Sequence, residues 1–220
     1  MNEYSFISME YFNSVAELYK VRKPIMPSKD DKRSRILKAA VKVFAQLGFY
    51  NAKVSQIAKN AGIADGTIYL YFKNKDEILI SIFEEEMAKF ISKVSKEIES
   101  AADVKNKLRV FAKTHLDFVK KNPRLAQVFQ LELRQSNKFI KEYAGSKLKE
   151  YLNVAGDIIE EGQRHGVIRK DIHPGLIKRA LFGSLDEVAT HWVLMKNGKY
   201  DLEKSAEQIA DIFINGIAKT

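Results

Sequence analysis

The sequence predicts an all-α chain of about nine helices, a small three-helix head followed by a larger helical body. Three observations predict it. Nothing between residues 29 and 220 reads as a strand. Gly, Asx and Pro stand where helices should end, and Pro123 and Pro174 follow Asn122 and His173 at first helical positions. The run at 57–75, IAKNAGIADGTIYLYFKNK, reads as a helix, a four-residue turn, a second short helix and the basic start of a third. The expected helices cover 29–47, 55–61, 66–72, 75–100, 103–121, 123–132, 137–165, 174–196 and 201–218.

Residues 1–27 differ from the rest. They are aromatic-rich, and Tyr4, Ile7, Tyr11, Val15 and Leu18 follow roughly helical spacing. Two readings stand: an extra amphipathic helix, or an upstream extension that is not translated, with Met26 as the start. The expected domains are this extension, a head over 28–75 and a body over 76–220.

The first head helix has Ser28, Asp30 and Asp31 as cap and first-turn acids. Ile36, Ala39, Ala40, Val43, Phe44 and Leu47 form its apolar stripe, and Gly48 ends it. In the second helix Ile57 faces inward and Ala58 allows close approach of a neighbour. Gly62 sits where the chain must leave the helix through positive φ. Ile63 plugs the turn, Asp65 is placed to cap the third helix, and Ile68 and Phe72 anchor it at i and i+4. Ala64, Gly66, Thr67, Tyr69, Leu70 and Tyr71 are left facing outward.

That outward row is poor chemistry for a solitary surface and good chemistry for DNA. Gly66 lets the backbone approach a duplex. Thr67 can bond a base edge or touch a thymine methyl, and Leu70 offers apolar contact only. Tyr69 and Tyr71 can donate to phosphates. Lys73 and Lys75 flank Asn74, a cap for the next helix, and Lys75 lies where a phosphate would sit. The plain alternative is a three-helix core with exposed aromatics. Charge agrees with a polyanion partner: residues 1–75 hold 13 Lys+Arg against 6 Asp+Glu, and the remainder 24 against 22. A solvated lysine-rich surface explains charge alone equally well.

These residues make a helix-turn-helix, and they resemble the TetR family of bacterial repressors. The resemblance covers Lys32 to roughly Leu79 and rests on AGIADGTIYLYFKNK at 61–75. It implies DNA contacts at Thr67, Tyr69, Leu70, Tyr71 and Lys75, and phosphate contacts at Val54 and Ser55. One departure stands out. The family commonly has Ser or Thr just before that Val, and here Ala52 and Lys53 stand instead; Lys53 is expected to replace a capping hydroxyl with a phosphate contact.

The body exceeds what a DNA head needs, so it senses or pairs with something. Its aromatic residues include Phe83, Phe90, Phe111, Phe118, Phe129, Tyr151, Phe182 and Trp192. Most such residues are core; a cavity lined by some suits an apolar ligand. QLELRQSN at 130–137 breaks the helical pattern, and its Arg134 is either a clamp for phosphate or carboxylate or a partner of Glu132 or Glu142. Arg109, Lys113 and Arg124 add charge in nearby helices. Small residues at 180–184 and Ile209, Ile212, Phe213, Ile214 and Ile217 give the last two helices faces suited either to a self-pairing bundle or to packing within the monomer. A dimer would set two reading helices on a two-fold symmetric, palindromic site.

A narrower resemblance, to the TetR-type repressors of fatty-acid degradation in bacilli, rests on QLELRQSN, FGSLDEVATHWVL and KYDLEKSAEQI. It implies release from operator DNA by long-chain acyl-CoA as inducer, with no cofactor. The expected ligand residues are Phe90, Phe111, Phe129, Leu133 and Trp192 for the chain and Arg134 for the polar end. A different amphipathic inducer, such as a drug or free fatty acid, is the alternative within the family.

Catalytic readings find little. His115, His165, His173 and His191 have no metal-ligand spacing, and Glu187 with His191 at i and i+4 reads as a helix-surface pair. No nucleophile motif, phosphate-cradling loop or paired carboxylates appear. The rival from another class is a helical enzyme acting on acyl-CoA, which turnover without DNA binding would reveal. The chain has no cysteine and no run of about 18 uncharged apolar residues, which fits a cytoplasmic protein without a membrane span.

Overall fold

A computed structural model describes residues 29–132, 147–195, 198 and 200–219. The chain divides into two compact units, Met1–Arg33 and Ser34–Thr220. Of the first, only Lys29–Arg33 are described, as the opening of the first helix.

Nine α-helices are present among the described residues: α1 Lys29–Leu47, α2 Val54–Ala61, α3 Asp65–Ile68, α4 Lys75–Glu99, α5 Val104–Lys121, α6 Pro123–Gln127, α7 Lys147–Arg164, α8 Pro174–Leu194 and α9 Leu202–Ile217. Helix α6 runs straight into a π turn, Val128–Glu132. No strand forms among the described residues; one antiparallel pairing of Ile168 with Ala218 ties the end of α9 to the loop after α7. All-α architecture is as the sequence predicts.

The caps explain the boundaries. Asn74, Asp103 and Asp201 each accept a backbone N–H from the first turn of α4, α5 and α9. Pro123 and Pro174 open α6 and α8, where a missing N–H costs nothing. Two expectations differ. Helix α3 is shorter than 66–72, because the chain turns from Tyr69 onward. Leu47, the last residue of the expected α1 stripe, is 41% exposed.

In the body, α5 packs along α9, α7 along α8, and α4 against both α5 and α7. Gly162 makes one crossing possible: a Cβ there would stand 2.6 Å from Ile168 Cδ1 and 2.9 Å from Val104 Cγ1. Lys107 bridges α5 to Glu161 of α7 at 2.7 Å. The Gln127 amide of α6 donates to the Ala45 carbonyl of α1 at 2.8 Å, a direct bond between body and head.

Candidate functional site

The head is built on the α1 stripe. Ile36, Ala40, Val43 and Phe44 are buried in one hydrophobic cluster with Ile57, Ala58, Ile68 and Phe72. Gly62 leaves α2 at φ +65°, and the Arg35 guanidinium of α1 donates to the carbonyls of Ala61 at 2.6 Å and Gly62 at 3.3 Å. Arg35 therefore fixes the turn from below. Its spacing from Gly62 gave no sign of this.

The turn delivers the outward row. Tyr69 and Leu70 are 59% and 77% exposed, and Ala64 and Gly66 are exposed. Thr67 and Tyr71 are half-buried, with Tyr71 packed against the core. Ala64 occupies the N-cap of α3 and Asp65 its first turn, so Asp65 is not the cap. Val54 is half-buried, and Ser55 and Lys53 are exposed at the start of α2. Lys53 is the N-cap. Gln56 closes half a capping box, its Oε1 accepting the Lys53 N–H at 2.8 Å; a lysine side chain has no acceptor to close the other half.

Lys75 corrects an expectation. Its ammonium donates to the carbonyls of Phe49, Tyr50 and Ala52 at 2.5, 3.1 and 3.0 Å and stands 4.5 Å from the Phe49 ring centre. All three donors are spent on the α1–α2 loop, so none is left for a phosphate. Burial lowers its pKa against the pull of Asp76. Of the N–H groups in the first turn of α4, that of Glu77 is taken by Asn74 Oδ1 at 2.9 Å.

In the body an aromatic cluster spans α4, α5, the π turn, α7 and α8. Phe90 lies 4.6 Å from Phe118 and 5.2 Å from Tyr151; Phe111 stacks on Tyr151 at 5.0 Å. Phe129 of the π turn meets Phe83 at 5.4 Å and Phe118 at 6.2 Å. Phe90, Phe111 and Phe129 are thus brought together. Trp192 stacks with none of them and packs instead beneath Gly198, where a Cβ would come within 2.8 Å of its ring. Leu133 and Arg134 lie outside the described residues, as do Ser28 and the extension at 1–27.

Sequence reasoning missed the polar centre of this cluster. His115 Nδ1 and Tyr151 Oη are 2.8 Å apart and buried. Burial pushes the His115 pKa down to about 4, opposed by Asp186, and pushes the Tyr151 phenol up. The imidazole is neutral at ordinary pH. The cations expected nearby are otherwise engaged: Arg109 pairs with Asp211 at 2.6 Å and Lys113 with Glu203 at 3.3 Å. Among the described residues no group of three or more acidic or His side chains is placed to hold a metal. His191 Nδ1 is buried without a partner, and its ring lies 5.5 Å from Tyr200.

Helices α8 and α9 leave one face uncovered. Leu176 and Ile212 are 63% and 69% exposed, and a Cβ at Gly183 or Gly216 would meet nothing within 4 Å.

Comparison with known proteins agrees with both halves. Residues 36–82 match the family of bacterial regulatory proteins of the tetR type, and residues 83–216 match the C-terminal region of YsiA-like proteins. The fatty acid metabolism regulator protein of Bacillus subtilis is 42% identical over 192 residues, which is 87% of this chain and 98% of that protein. The crystal structure of the transcriptional regulator FadR from Bacillus subtilis in complex with stearoyl-CoA superposes with a TM-score of 0.79 at 41% identity, covering 84% of this chain and 98% of that one. The fatty acid degradation regulator FadR from Bacillus halodurans gives the same TM-score and identity, covering 84% and 95%. The likeness runs through head and body alike, and the chain belongs to the TetR family of bacterial transcriptional regulators.

Proposed function

We propose that this protein is a transcriptional repressor that binds palindromic operator DNA as a dimer and is released by long-chain acyl-CoA, so controlling fatty-acid degradation genes. The observation that carries the reading is the 42% identity to a fatty acid metabolism regulator across both the head and the sensing body. A head alone would specify DNA binding and leave the inducer open. The reading includes no catalytic step.

At the DNA, Tyr69 and Leu70 reach furthest from the core, with Ala64, Gly66, Thr67 and Tyr71 beside them. Lys53, Val54 and Ser55 stand at the start of α2 for phosphate contact, and Lys75 serves through its backbone N–H at the start of α4. Phe90, Phe111, Phe129 and Trp192 are the described members of the proposed acyl site; Leu133 and Arg134 complete the set. The uncovered face of α8 and α9 is the proposed dimer contact.

Linkage sets the scale. An inducer that weakens DNA binding by about ten- to a hundredfold must itself bind about that much more weakly to the DNA complex, roughly 1.4–2.8 kcal/mol of coupling. A gel shift on the DNA upstream of its own gene, with acyl-CoAs of graded length, tests this. Release by long-chain acyl-CoA with the thioester intact is expected; thioester turnover, or DNA binding indifferent to every acyl-CoA, would overturn the reading.

A further inference from the structure

The aromatic cluster has a polar centre that release by a plain acyl chain leaves without a role. His115 of α5 and Tyr151 of α7 share a hydrogen bond of 2.8 Å between Nδ1 and Oη. Rings enclose them. Phe90 lies 6.4 Å from the imidazole and 5.2 Å from the phenol, Phe111 stacks on the phenol at 5.0 Å, and Phe182 stands 6.0 and 6.1 Å from the two. Two phenylalanines would fill this space without taking polar groups out of water.

We propose that the His115–Tyr151 pair is a polar selector inside the acyl site, and that it admits acyl-CoAs whose chain carries an oxygen, as an oxo or hydroxyl group, beside plain saturated ones. The inference rests on the acyl-CoA reading above and deepens it by naming a functional group on the chain. Three features carry it.

The first is a count of hydrogens. A neutral imidazole has one N–H and a phenol one O–H, so the pair holds two donors, and the bond between them uses one. If the phenol donates to Nδ1, the Nε2–H is left over; if Nδ1–H donates, the O–H is left over. Neither residue makes another side-chain hydrogen bond among the described residues. Asp186 acts on both through its charge and is hydrogen-bonded to neither.

The second is access. His115 keeps 7% of its surface accessible, against 1% for Tyr151 and none for Phe111. Among the described residues, His191 Nδ1 is the one fully enclosed side-chain nitrogen or oxygen without a partner. His115 Nε2 also lacks a partner, so it borders open space. The third is the surroundings. The pair touches Phe90 and Phe111, two of the rings assigned to the chain, and a phenylalanine ring has no acceptor atom to offer. An oxo oxygen accepts the surplus hydrogen. A hydroxyl accepts it and returns its own hydrogen to a lone pair on Tyr151 Oη.

The test is calorimetry on the full chain without DNA. The ligands are stearoyl-CoA, its thioether S-octadecyl-CoA, which lacks the carbonyl, and stearoyl-CoAs with an oxo or hydroxyl group at carbon 3, 10 or 12. Wild type should bind at least one oxygenated chain within about tenfold of stearoyl-CoA. The double variant His115→Phe, Tyr151→Phe removes both polar partners together at nearly constant volume. It should bind stearoyl-CoA as wild type does and bind that oxygenated chain about tenfold more weakly than wild type does, because the oxygen is enclosed without a partner. A wild type that rejects every oxygenated chain more strongly than that, or a double variant that discriminates no more than wild type, overturns the selector alone. So does a double variant that loses stearoyl-CoA while holding the thioether, since the donor then serves the thioester. Infrared spectra of wild type with a carbon-13-labelled oxo chain give a readout that needs no variant: the ketone stretch should lie below its value in alkane, and an unshifted band overturns the selector. Wild type that binds none of these acyl-CoAs overturns the acyl-CoA reading and this one with it.

Discussion

At the scale of single residues, Lys75 and His115 show how burial reassigns a side chain. Lys75 follows the recognition turn by four residues, where a cation reads naturally as a phosphate contact. Its ammonium instead bonds three carbonyls of the α1–α2 loop. Lys75→Met should destabilise the head by about 1–3 kcal/mol, the cost of leaving charge-bonded carbonyls unmet. DNA affinity should fall with the salt slope unchanged; a slope reduced by about one would restore a direct phosphate contact. His115 titrates lower in the folded chain than the unfolded value of about 6.5, so unfolding takes up a proton between the two values. The stability it supports is complete above about pH 6.5 and falls as pH drops toward its folded value near 4. Near pH 5 the loss is on the order of 2 kcal/mol. Urea unfolding of wild type and His115→Gln across this window checks it: the variant should lose less stability on acidification, and parallel losses would assign the acid sensitivity to other groups. None of these roles was legible in sequence, because the partners stand 23 or more residues away and nothing local marks their convergence.

At the scale of elements, much was legible. Asn74 and the two prolines mark helix starts that the structure keeps, because caps act within one turn and need no tertiary partner. The brevity of α3 was not legible. Its apolar anchors at 68 and 72 fit a longer helix, and both are buried although the chain leaves the helix between them. The π turn after α6 was equally hidden, since a single inserted residue leaves the apolar pattern nearly unchanged. Glycines separate by environment in the same way. Gly162 is required by the monomer, with Ile168 and Val104 pressed against it, whereas Gly183 has open space on α8. Gly183→Glu should therefore leave the helical fold intact and yield a monomer in analytical ultracentrifugation. A dimer that persists would move the contact off this face.

At the scale of the whole molecule, the head motif was readable as DNA-binding from its residues alone, whereas the residues of the body spoke only for a sensor of something apolar and acyl-CoA came from resemblance. The reason is physical: a recognition turn needs fixed residue types at fixed spacing, while a cavity for an alkyl chain accepts many apolar linings. The aromatic cluster accordingly brings Phe90, Phe111 and Phe129 into one set of ring contacts and leaves Trp192 outside it. The head itself is bound at two points, Arg35 across the turn and Lys75 across the preceding loop. With both joints locked, the head and the start of α4 travel as one piece. Release from an operator must then come from bivalency: each head keeps its intrinsic grip, and what falls is the effective concentration of the second head once the first is seated. Stearoyl-CoA should thus weaken binding to a full palindrome while leaving an isolated half-site duplex nearly untouched, measurable by fluorescence anisotropy on the two duplexes. Equal weakening on both would mean that the ligand reshapes the reading surface itself. If the two differ, operators with altered half-site spacing would fit the ligand-bound form better than the natural one, and a repressor locked at its joints could be retuned by moving its DNA sites rather than its residues.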